Sequence, residues 1–114
     1  MNQIIRLQKW YKSQCNDDWE HHRGVVIRSC DNPGWWVQIE LAGTTLETKP
    51  FSTVERNVSA KQMERISKGL EPDMCNRGPD WMLCQVKENT FDGAGDSDKL
   101  EDILKTFLDW VENK

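Results

Sequence analysis

Hydrophobic positions along this chain change period several times, and each change predicts an element. Over residues 3–13, Ile4, Leu7, Trp10 and Tyr11 recur at helical spacing with Arg6, Lys9 and Lys12 off their face, which predicts an amphipathic helix. Short polar residues at 14–18 end it. From about 19 to 51 the period becomes two. Val25 and Ile27 alternate with Val26 and Arg28 in a first strand. Asp31-Asn32-Pro33-Gly34 follows as a turn, with proline presetting φ and Gly34 supplying a positive φ. A second strand over 35–41 puts Trp35, Val37, Ile39 and Leu41 on one face and Trp36, Gln38 and Glu40 on the other. Ala42-Gly43 turns again, and 44–49 reads as the third strand of an antiparallel meander.

The second half returns to helical spacing. Ser59 as N-cap, Gln62 three residues on, and Val58 and Met63 at staple positions predict a helix over 58–70, stopped by Gly69. A loop is predicted over 71–80. A strand follows over 81–86, then a turn at Glu88-Asn89 and a short return strand over 90–92. Gly93-Ala94-Gly95 reads as a flexible approach to the last helix, with an N-cap among Asp96, Ser97 and Asp98. In that helix Leu100, Ile103, Leu104, Phe107, Leu108 and Val111 form the clearest apolar stripe of the chain. The fold class predicted is α+β. Three meander strands and one or two C-terminal strands pack with N-terminal, middle and C-terminal helices, in a single domain over 1–114.

Composition sharpens this picture in two ways. With 114 residues, 37% hydrophobic and 30% charged, the chain carries six Trp, whose large side chains build a core from few positions. Trp10, Trp19, Trp35, Trp81 and Trp110 fall at apolar faces and are assigned to the core. Trp36 faces the opposite way, either covered by a helix or exposed as an anchor for a partner. No apolar run approaches the roughly 20 residues of a membrane span, and charged residues follow closely on Met1-Asn2-Gln3. A cytoplasmic location with reduced cysteines is therefore expected.

The net charge of −4 is uneven. Residues 1–79 hold 10 acidic and 11 basic side chains, while residues 80–114 hold 9 acidic and 4 basic, a balance of −5. An acidic pole repels nucleic acid and attracts basic partners.

Candidate chemistry is sparse. Glu20-His21-His22 is the most reactive-looking cluster, but adjacent histidines on a strand would point apart, and a zinc site would need a distant Cys15, Cys30 or Cys84. A Cys30–His22 nucleophile has no orienting third group in view. Gly93-Ala94-Gly95 lacks the spacing of a phosphate cradle, and Asp96 and Asp98 lack the remaining positions of a calcium loop. No catalysis, metal or cofactor is expected. The residues expected to meet a partner are Trp36, Gln38 and Glu40 on the strand, with Asp92, Asp96, Asp98, Glu101 and Asp102 in the acidic pole.

Trp19-Glu20 and Asn32-Pro33-Gly34-Trp35 resemble motifs of the Immunity protein 53 family of bacterial polymorphic toxin systems. The resemblance continues through Leu7-Gln8-Lys9-Trp10-Tyr11, Leu41-Ala42-Gly43-Thr44, Phe91-Asp92-Gly93-Ala94-Gly95-Asp96 and the helix from Leu100 to Trp110. It implies stoichiometric binding and occlusion of a cognate toxin inside the producing cell, and the acidic balance of the chain suits a toxin that is a basic enzyme, such as a nuclease. Trp19, Glu20, Pro33, Gly34 and Trp35, where the family's motifs fall, are expected to define the fold more than touch a toxin. The alternatives are a generic interaction module and, behind it, a small enzyme using His22 and a cysteine.

Overall fold

The computed structural model describes residues 2–30, 33–58, 64, 68 and 80–113, and the side chain of Cys30 lies outside this set. The elements are α1 (Gln3–Gln14), α2 (Trp19–His22), β1 (Val25–Cys30), β2 (Gly34–Glu40), β3 (Val54–Arg56), β4 (Met82–Lys87), β5 (Thr90–Asp96) and α3 (Leu100–Glu112). Among the described residues, five strands form one antiparallel sheet in the order β1-β2-β5-β4-β3. With helices at both ends of the chain, the architecture is α+β. The helix expected over 58–70 falls largely outside the described residues. Within them, Lys68 N donates to Glu64 O at 3.2 Å and their side chains pair at 2.7 Å.

Both long helices lie on one face of the sheet, and their apolar sides meet it. Asn2 Oδ1 caps α1 by accepting from Ile5 N at 2.9 Å. The buried side of α1 is Gln3, Leu7 and Trp10. The stripe expected from spacing is thus rotated, and Ile4 and Tyr11 stand 49% and 39% exposed. On α3 the expected stripe is the buried one, with Ile103, Leu104, Phe107 and Leu108 inside. Lys49 Nζ reaches the last turn of α3, donating to Trp110 O at 2.5 Å and also to Asn113 O, where a cation suits the helix dipole. Edge-to-face rings tie the layers together. Trp10 meets Trp19 and Phe107, and Phe91 meets Phe107 and Phe51.

Five expectations are corrected. Residues 44–49 are not a third strand. Thr44 Oγ1 donates to Leu41 O and accepts from Leu46 N, and turn bonds run from Glu47 N to Thr44 O and from Lys49 N to Leu46 O. These local bonds compete with a ladder, and the free edge of β2 is occupied by β5. The return strand after Glu88-Asn89 is longer than expected, running to Asp96 at the centre of the sheet. Gly93-Ala94-Gly95 is therefore buried strand, not a flexible approach. The glycines are there because α3 sits on them: a Cβ at Gly93 would fall 2.5 Å from Ile103 Cγ2, and one at Gly95 2.6 Å from Lys99 Cβ. Glu20-His21-His22 belongs to a helical turn rather than a strand start. Finally, among the described residues the glycine in the left-handed region is Gly43, at φ 82, whereas Gly34 starts β2 opposite Cys30 and Asp96.

Candidate functional site

The two faces of the sheet divide the expected partner residues. Val37 and Ile39 point to the helices, so Trp36, Gln38 and Glu40 lie on the opposite face. Register places Ala94 beside Trp36 and Asp92 beside Gln38, which brings Asp92 onto that face from β5. Trp36 is not an exposed anchor. It is 8% exposed and packs with Trp81, Ala94 and Val58, while Arg28 lies over its ring with the guanidinium carbon 4.3 Å from the centroid. Its indole N–H donates to Asp92 Oδ1. Burial pushes the Asp92 carboxyl above the usual range, against the opposing pull of the Trp36 N–H and Lys87.

A raised acid pKa means that the folded state binds the proton more tightly than the unfolded chain. Its penalty is absent at low pH and grows as pH rises through the carboxyl's titration. Asp92→Asn keeps an acceptor for Trp36 without the charge. It should therefore melt at a higher temperature than the wild type at neutral pH, and thermal melts should show the gap closing as the pH is lowered to about 3. A gap independent of pH would refute this assignment.

Asp96, Asp98, Glu101 and Asp102 gather at the far end of β5 and the start of α3. Asp92 lies four residue steps along the strand from Asp96, roughly 13 Å. The cluster gains a member that spacing did not reveal. Asp96 N donates to Trp81 O at 3.1 Å, which brings Asp80 to the same end of the β4–β5 pair. Oxygen atoms of Asp80, Asp96 and Asp98 lie within 4.8 Å of one another. Such a trio has the chemistry to hold a cation, and it already faces one. Lys99 Nζ donates to Asp80 Oδ1 at 2.6 Å and to Asp98 Oδ1 at 3.3 Å, with Asp80 the main cause of its raised pKa. The N-cap expected among Asp96, Ser97 and Asp98 is taken by Lys99, without a side-chain bond, and Asp96 Oδ1 instead accepts from Asp98 N at 3.1 Å.

His21 and His22 are exposed on α2. They line a cleft of about 400 Å³ with Arg23, Gln38, Glu40 and Thr90. Glu40 is fixed there by accepting from Gly24 N at 3.0 Å. His22 Nε2 lies 3.7 Å from Asp18 Oδ1. Of the cysteines whose side chains are described, Cys15 is exposed and Cys84 is buried, with burial pushing its thiol to about 12, which keeps it protonated at neutral pH.

Several of the quoted motif residues hold one segment to another. Glu20 accepts from Asn16 N and Asp17 N at 2.9 and 2.8 Å; with its own amide N–H the first cause, these donors hold it below the usual carboxylate range. Trp19 is buried, and its indole donates to Ala42 O at 3.1 Å, beneath the turn made by Gly43. Trp35 donates to Ser97 O at 3.0 Å, which joins the start of β2 to the approach to α3. The sequence profile described as Immunity protein 53 matches residues 4–112. The chain belongs to the Immunity protein 53 family. Comparison with curated proteins and with solved structures returned no match. The match runs from the second residue of α1 to the last residue of α3. Membership of the Immunity protein 53 family points to toxin immunity. Among the described residues no helix is long and apolar enough to cross a membrane.

Proposed function

We propose that the protein binds a cognate toxin in the cytoplasm of the cell that makes it and neutralises that toxin by one-to-one occlusion, without catalysis. The observation that carries this reading is the family match over residues 4–112. The acidic end built from Asp80, Asp96, Asp98, Glu101 and Asp102 supports a basic partner, such as a nuclease, drawn in by long-range attraction. Gln38 and Glu40, beside the histidine cleft, supply hydrogen-bonding groups on the sheet face.

The test uses the product of the neighbouring gene. Mixed with this protein, its toxin domain should form a one-to-one complex and lose activity. Asp98→Lys with Glu101→Lys should slow association on the order of tenfold at low salt, with the effect shrinking as ionic strength rises. Stopped-flow binding at two salt concentrations reads both. An active toxin that forms no complex would refute the proposal and favour an interaction module with another partner. An association rate insensitive to salt in every variant would remove the steering.

A further inference from the structure

We infer that the outer edge of β1, together with the groove α1 forms beside it, receives an extended segment of the toxin as an added strand. This rests on the toxin-binding reading above and specifies its surface and chemistry. Glu40 N donates to Gly24 O at 3.1 Å, so Gly24 and Glu40 are a hydrogen-bonded pair. The continuous β1–β2 register then makes Val26–Gln38 and Arg28–Trp36 bonded pairs as well. Val25, Ile27 and Ser29 turn their N–H and C=O groups away from the sheet, and among the described elements none pairs with that edge. Natural edges are usually blunted by proline, lysine or a bulge. Here Val25, Val26 and Ile27 run in unbroken register, with Val26 51% and Ile27 37% exposed on opposite faces.

The groove is the second, independent observation. Leu7, Gln8 and Tyr11 of α1 face Arg23, Gly24 and Val25 across about 470 Å³. An added strand would lie about 4.8 Å from β1 and direct alternate side chains to the helix side, into this groove. The lining is mostly apolar and carries one charge, that of Arg23. The segment that fits has an apolar side chain at the groove position and a carboxylate within reach of Arg23. The histidine cleft, on the other face of the sheet, borders the same Arg23, Gly24 and Val25 and adds Gln38 and Glu40. A second copy of this chain fits less well. The antiparallel register that uses all three outward residues sets Ser29 of the copy opposite Val25, offering the groove a hydroxymethyl group.

Amide hydrogen exchange by NMR tests this on the intact protein, alone and with the neighbouring gene's toxin domain. Alone, Val25, Ile27 and Ser29 should exchange at least about a hundredfold faster than Val26 and Arg28. In the complex they should slow to the rates of those neighbours. Ile27→Pro removes one outward N–H and no β1–β2 bond, and Arg23→Glu reverses the groove's charge; each should weaken binding about tenfold or more, the second serving if the first fails to fold. A complex whose outward amides stay fast overturns the inference while leaving toxin binding intact. Outward amides already protected in the isolated protein, with a dimeric mass by sedimentation, overturn it in favour of a second copy. Failure to form any complex overturns the toxin-binding reading and this inference with it.

Discussion

Phe107→Ala should destabilise the fold by about 3–5 kcal/mol, a large share of the 5–15 kcal/mol typical of a domain. Phe107 is fully buried on α3, and its ring lies 5.0 Å from Trp10, 5.0 Å from Phe91 and 6.1 Å from Trp110, centroid to centroid. Truncation opens a cavity shared by α1, α3 and β5, where no one element can move in to fill it. Phe107→Leu keeps most of the volume and should cost markedly less, within about 1.5 kcal/mol. Urea unfolding of the two variants measures both. A loss below about 1.5 kcal/mol for the alanine variant would show that this ring does not join the layers.

Gly93→Val should cost about 3 kcal/mol, at the upper end of what overpacking does. The new Cβ would lie 2.5 Å from Ile103 Cγ2 and 3.1 Å from Phe91 Cε2, both belonging to buried residues without room to swing aside. Gly93→Ala makes the same clash with fewer atoms and should cost less. Combined with Ile103→Ala, which deletes the clashing methyl, it should be less destabilising than the two single changes summed. Strict additivity in that cycle would refute the contact as the reason for glycine.

The contrast between these two residues marks what was legible in the sequence. Phe107 announced itself because α3 carries six apolar residues at unbroken helical spacing. The β1–β2 pair was legible for the same reason, since alternation from Val25 to Leu41 has one dominant reading. Gly93 was not legible. Its reason is a side chain ten residues later, and Gly-Ala-Gly has low strand propensity until α3 is placed against it. The sheet order was hidden likewise, because β2 takes its second neighbour from β5 and not from the segment that follows it. Among candidate site residues, alternation correctly set Trp36 opposite Val37. It could not supply the cover from Trp81 and Val58, which comes from distant segments. Asp80 joined Asp96 and Asp98 only through the β4–β5 pairing.

The position of β5 also bears on how the protein comes to exist in the cell. The strand at the centre of the sheet is Thr90–Asp96, and the helix that completes the core is Leu100–Glu112. During synthesis, the β1–β2 hairpin leaves the ribosome before β5, but a two-stranded ribbon is marginal alone. Its partner strand arrives some fifty residues later, so the decisive contacts are non-local and late. The core is incomplete until α3 is made, and a premature stop before Leu100, which deletes Ile103, Leu104, Phe107 and Leu108, should leave the chain unfolded.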